Sequence, residues 1–310
     1  MIGPDALRTV GIVGAGAIGA SWAALALHHG LDVVVADPTA GAETALRETV
    51  ATLLGELDST YADERLRVSR DSAEAGRDAD LVLECGPERL DIKREIFAAL
   101  DQVAGPQVLL ASSSSGLPPS AFQSAARRHP ERVLVAHPFN PPHLVPLVEV
   151  VGGTGTSEVA IEAAMTILQS LGKRPIRLRR EVPGHVANRL QAALWREAYH
   201  LVGEGVASVS DIDAAIASGP GLRWSLLGPF ATQHLSGGPG GLQHVLEHLG
   251  PPMVDWWNDL GSPELTPRLV ETLVAGVRDE LDGQDVGDLR ARRDRALREL
   301  MDTKSRLDLD

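Results

Sequence analysis

Cysteine is nearly missing from this chain: Cys85 is the only one in 310 residues, which excludes an intramolecular disulfide and any cysteine-based metal cluster. Positive charge is scarce as well, with 29 Lys and Arg against 42 Asp and Glu and a formal net charge of −13. Such a chain has no basic surface to neutralise the phosphates of a polynucleotide, and an anionic membrane repels it, so neither is expected as a partner. No run of about 18 apolar residues is present, so no membrane-spanning helix is expected. The N-terminal MIGPDALRTVGIVGAG has neither the charged start nor the small-residue cleavage site of a signal peptide, and a reducing, cytoplasmic setting is the expectation. Two catalytic signatures are also lacking. The ten histidines include no HExxH, and His28 and His29 are adjacent rather than four apart, so no metal site is expected. The serines of ASSSSG, 112 to 115, lie in no GxSxG elbow, which disfavours a serine triad.

What is present is the composition of an ordinary globular protein, 44% hydrophobic and 23% charged, in a chain long enough for one large domain and a smaller one. Up to about residue 180, short β-branched runs alternate with helix-period segments. The runs are VGIV (10–13), DVVVAD (32–37), LVLECG (81–86), VLLASS (108–113), RVLVAHP (132–138), VPLVEVV (145–151) and PIRLR (175–179). Alternation of this kind predicts an α/β domain with a mainly parallel sheet covered on both faces. Beyond PGHVANRL the strand signal stops, and 186–216 and 264–302 carry long helical periods. The chain therefore divides into residues 1–185, a Rossmann-type domain, and 186–310, an all-α domain. The Gly- and Pro-rich stretches 219–229 and 236–242 read as helix breaks and loops. A stripe of Leu289, Ala296, Leu297, Leu300 and Met301 gives the last helix one apolar face, for docking on its own domain or on a second subunit.

Gly14, Gly16 and Gly19 form G-A-G-A-I-G between the strand VGIV and a helix opening near Ala17. In that context the first glycine permits a tight turn, the second lets the backbone approach a pyrophosphate, and the third lets helix and strand pack closely. The anion would rest on the N–H groups of the helix start, around Ala17 and Ile18. Asp37 ends the next strand, 18 residues beyond Gly19, where a carboxylate binds ribose hydroxyls. No Arg or Lys comes next in Pro-Thr-Ala-Gly to receive a 2′-phosphate, so NAD is expected rather than NADP.

Two titratable groups interrupt apolar runs. His137 closes VLVAH at a strand end, where parallel sheets bind ligands, and Glu149 sits within VPLVEVV. A buried carboxylate needs a partner, and histidine is a local candidate. Paired, the two would serve general-base catalysis; apart, they would be a structural histidine and an edge-strand glutamate.

Taken together, the motifs resemble the 3-hydroxyacyl-CoA dehydrogenase superfamily, and within it the L-gulonate 3-dehydrogenase and lambda-crystallin branch. The resemblance rests on VGIVGAGAIGASWA, ECGPERLDIKREIFAALD, ASSSSGLPPS, VAHPFNPPHLVPLVEVV, EVPGHVANRLQAAL, GPGLRWSLLGPF and LRARRDRALREL, in that order. It implies that His137 of the HPFNP motif is the general base, Glu149 its orienting partner, and Ser115 and Asn188 the groups that hold the substrate oxygen. It also implies that Glu88 and Lys93 lie near the cofactor, and that the helical half forms a homodimer. Where the acyl-CoA enzymes carry Asn-Thr-Ser-Ser and Pro-Met-Gly-Pro runs, this chain has Ser113-Ser114-Ser115-Gly116 and Leu222-Arg223-Trp224. Arg223 is thus a candidate to hold a free carboxylate. The expectation is an NAD-dependent dehydrogenase of a small free 3-hydroxy acid, L-gulonate-like. The alternatives are a 3-hydroxyacyl thioester, L-carnitine, for which Trp224, Trp256 and Trp257 would supply aromatic faces, or a silent NAD-binding structural protein.

Overall fold

The computed structural model describes every residue except Ile2, Ala62 and Asp310. Two compact units succeed one another in the chain, Met1–Arg189 and Leu190–Asp310. In the first, eight strands make one sheet: β1 (Thr9–Val13), β2 (Asp32–Ala36), β3 (Leu66–Ser69), β4 (Leu81–Glu84), β5 (Leu109–Ser112), β6 (Val133–Pro138), β7 (Leu147–Gly152) and β8 (Arg174–Arg177). Their order is β3-β2-β1-β4-β5-β6-β7-β8, parallel throughout except for the antiparallel pair β6 and β7. The chain leaves β1 toward β2 and β3 on one side and returns as β4 on the other. The carboxyl end of β1 is therefore a topological switch point, where open sheets of this kind bind ligands.

Five helices connect these strands: α1 (Ala17–His28), α2 (Ala42–Glu56), α3 (Glu74–Arg77), α4 (Leu90–Val103) and α5 (Glu158–Ser170). Because side chains alternate along a strand, the central strands feed two cores. Val10, Ile12, Leu83, Leu134, Val148 and Val150 pack with α1, α2 and α5 on one face, and Val82, Leu110, Val133, Val135 and Val151 pack with α4 on the other. The same parity puts Glu84, Ser112, His137 and Glu149 on the α4 face. The strand β3 was not expected from sequence. It has four residues, with alternate polar side chains, at the sheet edge, so it lacks the continuous apolar run that marks the central strands.

The second unit is helical. It contains most of α6 (Ala187–Gly203), then α7 (Val209–Ala217), α8 (Pro220–Trp224), α9 (Pro229–Ser236), α10 (Gly241–Asp259), α11 (Pro267–Glu280) and α12 (Val286–Arg306). The Gly- and Pro-rich stretch 219–229, expected as loop, instead forms α8 and opens α9. Each of these helices begins with proline at its first position, where the missing N–H costs nothing and the fixed φ favours the helix. Among the described residues no helix is long and apolar enough to cross a membrane.

Candidate active site

The glycine loop runs from β1 into α1. Gly14 takes φ +104°, a conformation open to glycine, and a β-carbon on Gly19 would stand 1.9 Å from the Gly14 carbonyl oxygen. A β-carbon on Gly16 would meet nothing within 4 Å, so the space above the helix start is open. No side chain caps α1, which leaves the N–H groups at Ala17, Ile18 and Gly19 directed at that space. Asp37, just past β2, accepts the N–H of Ala15 at 2.8 Å and of Thr39 at 2.9 Å. Partial burial pushes its pKa up, but these hydrogen bonds outweigh that and hold it below the usual carboxylate range. Open glycine, uncapped helix start and ionised Asp37 together fit the pyrophosphate and ribose of a dinucleotide.

His137 and Glu149 are direct cross-strand partners in the β6–β7 pair. His137 Nδ1 lies 2.9 Å from one carboxylate oxygen of Glu149, which is wholly buried. The other oxygen accepts the N–H of Val186 at 2.8 Å and of Ala187 at 3.0 Å, where α6 begins. Burial pushes the Glu149 carboxyl up, but His137, Ala187 and Val186 together hold it below its ordinary value. An ionised Glu149 can only accept, so Nδ1 of His137 carries the hydrogen and Nε2 is left with a lone pair. His137 is 7% exposed, and Nε2 takes no partner among the described residues.

The serine loop after β5 is pinned from beneath. Glu84, Lys93 and Ser112 are all buried; Lys93 Nζ donates to Glu84 at 2.8 Å, and the Ser112 hydroxyl donates to the same oxygen at 2.6 Å. Glu88 reaches over from the start of α4 and accepts from the Ser114 hydroxyl and from the N–H groups of Gly116 (2.9 Å) and Leu117 (3.0 Å). Its burial raises the pKa, but these three donors, with Lys93 behind them, depress it overall. Ser115, between two anchored residues, is exposed and its hydroxyl has no partner among the described residues. Asn188, in the first turn of α6, is half-buried and also unpartnered among the described residues.

Of the residues singled out from sequence, His137 and Glu149 meet directly, and Ser115 and Asn188 lie on segments tied to them. Glu88 organises the serine loop. Lys93 is buried, and its ammonium is engaged by Glu84 and Glu88, so it supports the loop from below. Arg223 lies in the second unit on α8, where it and Trp224 line one cavity of about 500 Å³.

Sequence reasoning missed several supporting groups. Glu84 and Ser112 end adjacent strands, and a carboxylate closing an apolar run was the available signal. His185 comes after Gly184 in PGHVANR and is buried beside His137, their ring centroids 5.1 Å apart. Lys173 is buried near the turn before β8 and donates to the carbonyls of Pro142 and Val145, while His143 bonds Ser21 and Glu56, each at 2.8 Å. These contacts hold the Pro-rich loop that joins His137 to Glu149.

Residues 9–182 match the family model "3-hydroxyacyl-CoA dehydrogenase, NAD binding domain", and residues 184–278 match the corresponding C-terminal domain. The chain belongs to the 3-hydroxyacyl-CoA dehydrogenase family. It is an NAD-dependent dehydrogenase of 3-hydroxy acids. Among its relatives, an L-carnitine dehydrogenase of Pseudomonas aeruginosa is 47% identical over 94% of this chain and 92% of its own length. An L-carnitine dehydrogenase of Streptomyces coelicolor is 45% identical over 99% of this chain and 98% of its own. The solved structure of 5-formyl-3-hydroxy-2-methylpyridine 4-carboxylic acid 5-dehydrogenase, described as an NAD⁺-dependent dismutase, superimposes with a TM-score of 0.81. It is 28% identical and covers 96% of this chain and 99% of its own.

Proposed function

We propose that this member of the family oxidises the 3-hydroxyl of L-carnitine, with His137 as general base. The observation that carries the substrate is the identity to L-carnitine dehydrogenases along nearly the whole chain. L-Carnitine bears a carboxylate on one side of its reacting carbon and a trimethylammonium on the other. A guanidinium holds the first bidentately, and an aromatic face holds the second. Within the second unit Arg223 and Trp224 line one cavity, so both kinds of group are at hand there.

In this mechanism NAD, when bound, accepts the hydride. His137 Nε2 takes the hydroxyl proton, and Glu149 keeps Nδ1 protonated and stabilises the imidazolium. Ser115 and Asn188 donate to the oxygen as it becomes a carbonyl. The glycine loop, from Gly14 to Gly19, holds the pyrophosphate, and Asp37 binds the ribose. Glu88 and Lys93 keep the serine loop beside the nicotinamide end. The helical unit supplies the dimer surface. A groove of about 580 Å³ there, lined by Trp195, Tyr199, Ile212, Val274 and Val277, supports this role.

The test is NADH formation with L-carnitine, L-gulonate, 3-hydroxybutyrate and 3-hydroxybutyryl-CoA side by side. L-Carnitine is expected to give the highest kcat/KM, and Arg223→Ala to raise its KM. Turnover of L-gulonate or of the thioester with none of L-carnitine would overturn the assignment.

A further inference from the structure

His185 carries three unfavourable features in one residue. Its backbone is in the left-handed region at φ +53°, which side chains with a β-carbon rarely adopt. Its ring is 2% exposed, and Nδ1 is buried with no partner among the described residues. Buried polar atoms are nearly always satisfied, so an orphan at a site calls for a reason. Nε2 lies 3.1 Å from the Ser114 carbonyl oxygen. A carbonyl only accepts, so Nε2 carries the hydrogen and Nδ1 the lone pair. Burial disfavours the charged form more than the Ser114 carbonyl and the nearby carboxylates favour it, and the ring is neutral.

The position of this ring matters more than its cost. Its centroid is 5.1 Å from that of His137, with 35° between the planes. The next residue, Val186, donates its N–H to Glu149, which in turn holds His137. His185 is therefore joined to the serine loop through its side chain and to the base through its neighbour's backbone. Unfavourable geometry is kept where the surrounding structure over-determines it, commonly at functional sites.

We propose that His185 is a positioning residue of the reaction: a neutral ring that backs the His137 imidazole and pins the serine loop, so that the base and Ser115 keep one spacing. This rests on His137 being the base. In the oxidation the substrate O–H bond breaks and its proton bonds to His137 Nε2, while the C3–H bond breaks and its electron pair leaves with the hydrogen to NAD. The resulting imidazolium has the Glu149 carboxylate on Nδ1 and the neutral ring of His185 at its side.

The test compares wild type, His185→Phe, His185→Ala, His137→Ala and the double variant His137→Ala/His185→Phe, as full-length protein. His185→Phe keeps a ring and removes the orphan nitrogen but loses the bond to Ser114. Its kcat is expected to fall about tenfold, with NADH affinity within about twofold, Tm unchanged or higher, and a larger primary deuterium isotope effect. On the residual turnover of His137→Ala the same change should cost less than in the wild type, because only its hold on the serine loop is left to lose. An inactive His137→Ala alongside a His185→Phe with unchanged kcat would overturn the role of His185 and leave the base intact. A kcat loss that only accompanies a lower Tm and weaker NADH binding, in both His185 variants, would also overturn it. Full turnover by His137→Ala would instead overturn the assignment of the base.

Discussion

Glu149 divides its carboxylate between two tasks: one oxygen holds Nδ1 of His137, and the other caps the first N–H groups of α6 through Val186 and Ala187. A single buried charge thus orients the base and anchors the turn that carries His185 and Asn188. Because the two strands are antiparallel with His137 and Glu149 directly opposed, both side chains leave the same face as cross-strand neighbours.

Glu149→Gln separates the two tasks. The amide oxygen can still accept from Val186 and Ala187, while its NH₂ must donate to His137 Nδ1 and drives the hydrogen to Nε2. The wrong tautomer cannot take the substrate proton. kcat is expected to fall about 10²- to 10⁴-fold with a small change in Tm, measured by steady-state NADH formation and thermal melting.

Two glycines in the same loop should fail in different ways. Gly19→Ala places a carbon 1.9 Å from the Gly14 carbonyl oxygen and must displace backbone. A loss of about 1–3 kcal/mol in stability is expected. Gly16→Ala meets no protein atom within 4 Å. It should melt like wild type and lose NADH affinity, read by fluorescence titration.

Asp37→Ala removes the carboxylate assigned to the ribose and frees the N–H groups of Ala15 and Thr39. Hydrogen bonds to charged groups contribute about 1.5–3 kcal/mol. The KM for NAD should rise about 10- to 100-fold with kcat little changed. An unaltered KM would remove Asp37 from the cofactor site.

Lys173 gives stability a pH dependence. Burial lowers its pKa from 10.5 to about 7. Between those values the unfolded chain binds the proton more tightly than the folded one, so this contribution to stability is full above pH 10.5 and is lost as pH falls toward 7. The two carbonyl acceptors and the Trp22 ring, 5.6 Å from Nζ, favour the ammonium and temper the effect. In urea titrations the wild type should gain stability relative to Lys173→Met from pH 7 to 10. A difference that stays flat would show that Lys173 keeps its proton throughout.

Much of the fold was legible because local patterns are strong in parallel sheets. Central strands buried on both faces read as continuous β-branched runs, and the glycine loop reads as a strand-to-helix turn with an acid at the next strand end. The strand β3 escaped because an edge strand of four residues has only two apolar positions. The helices α8 and α9 escaped because proline breaks a helix only in its interior, and whether it opens one depends on the residues after it. At the site, a histidine and a glutamate inside apolar runs announced themselves by residue type.

Local residue pattern sets the periodicities, and with them the dinucleotide-binding domain, the helical second half and the polar residues that had to find partners. Pairing belonged to the tertiary structure. A shift of one residue in the β6–β7 register would have turned Glu149 to the opposite face, away from His137. The burial of Lys93, Lys173 and His185 likewise depends on which segments close over them. Side chains that read as ordinary surface groups one residue at a time become supports for the site once the chain around them removes water.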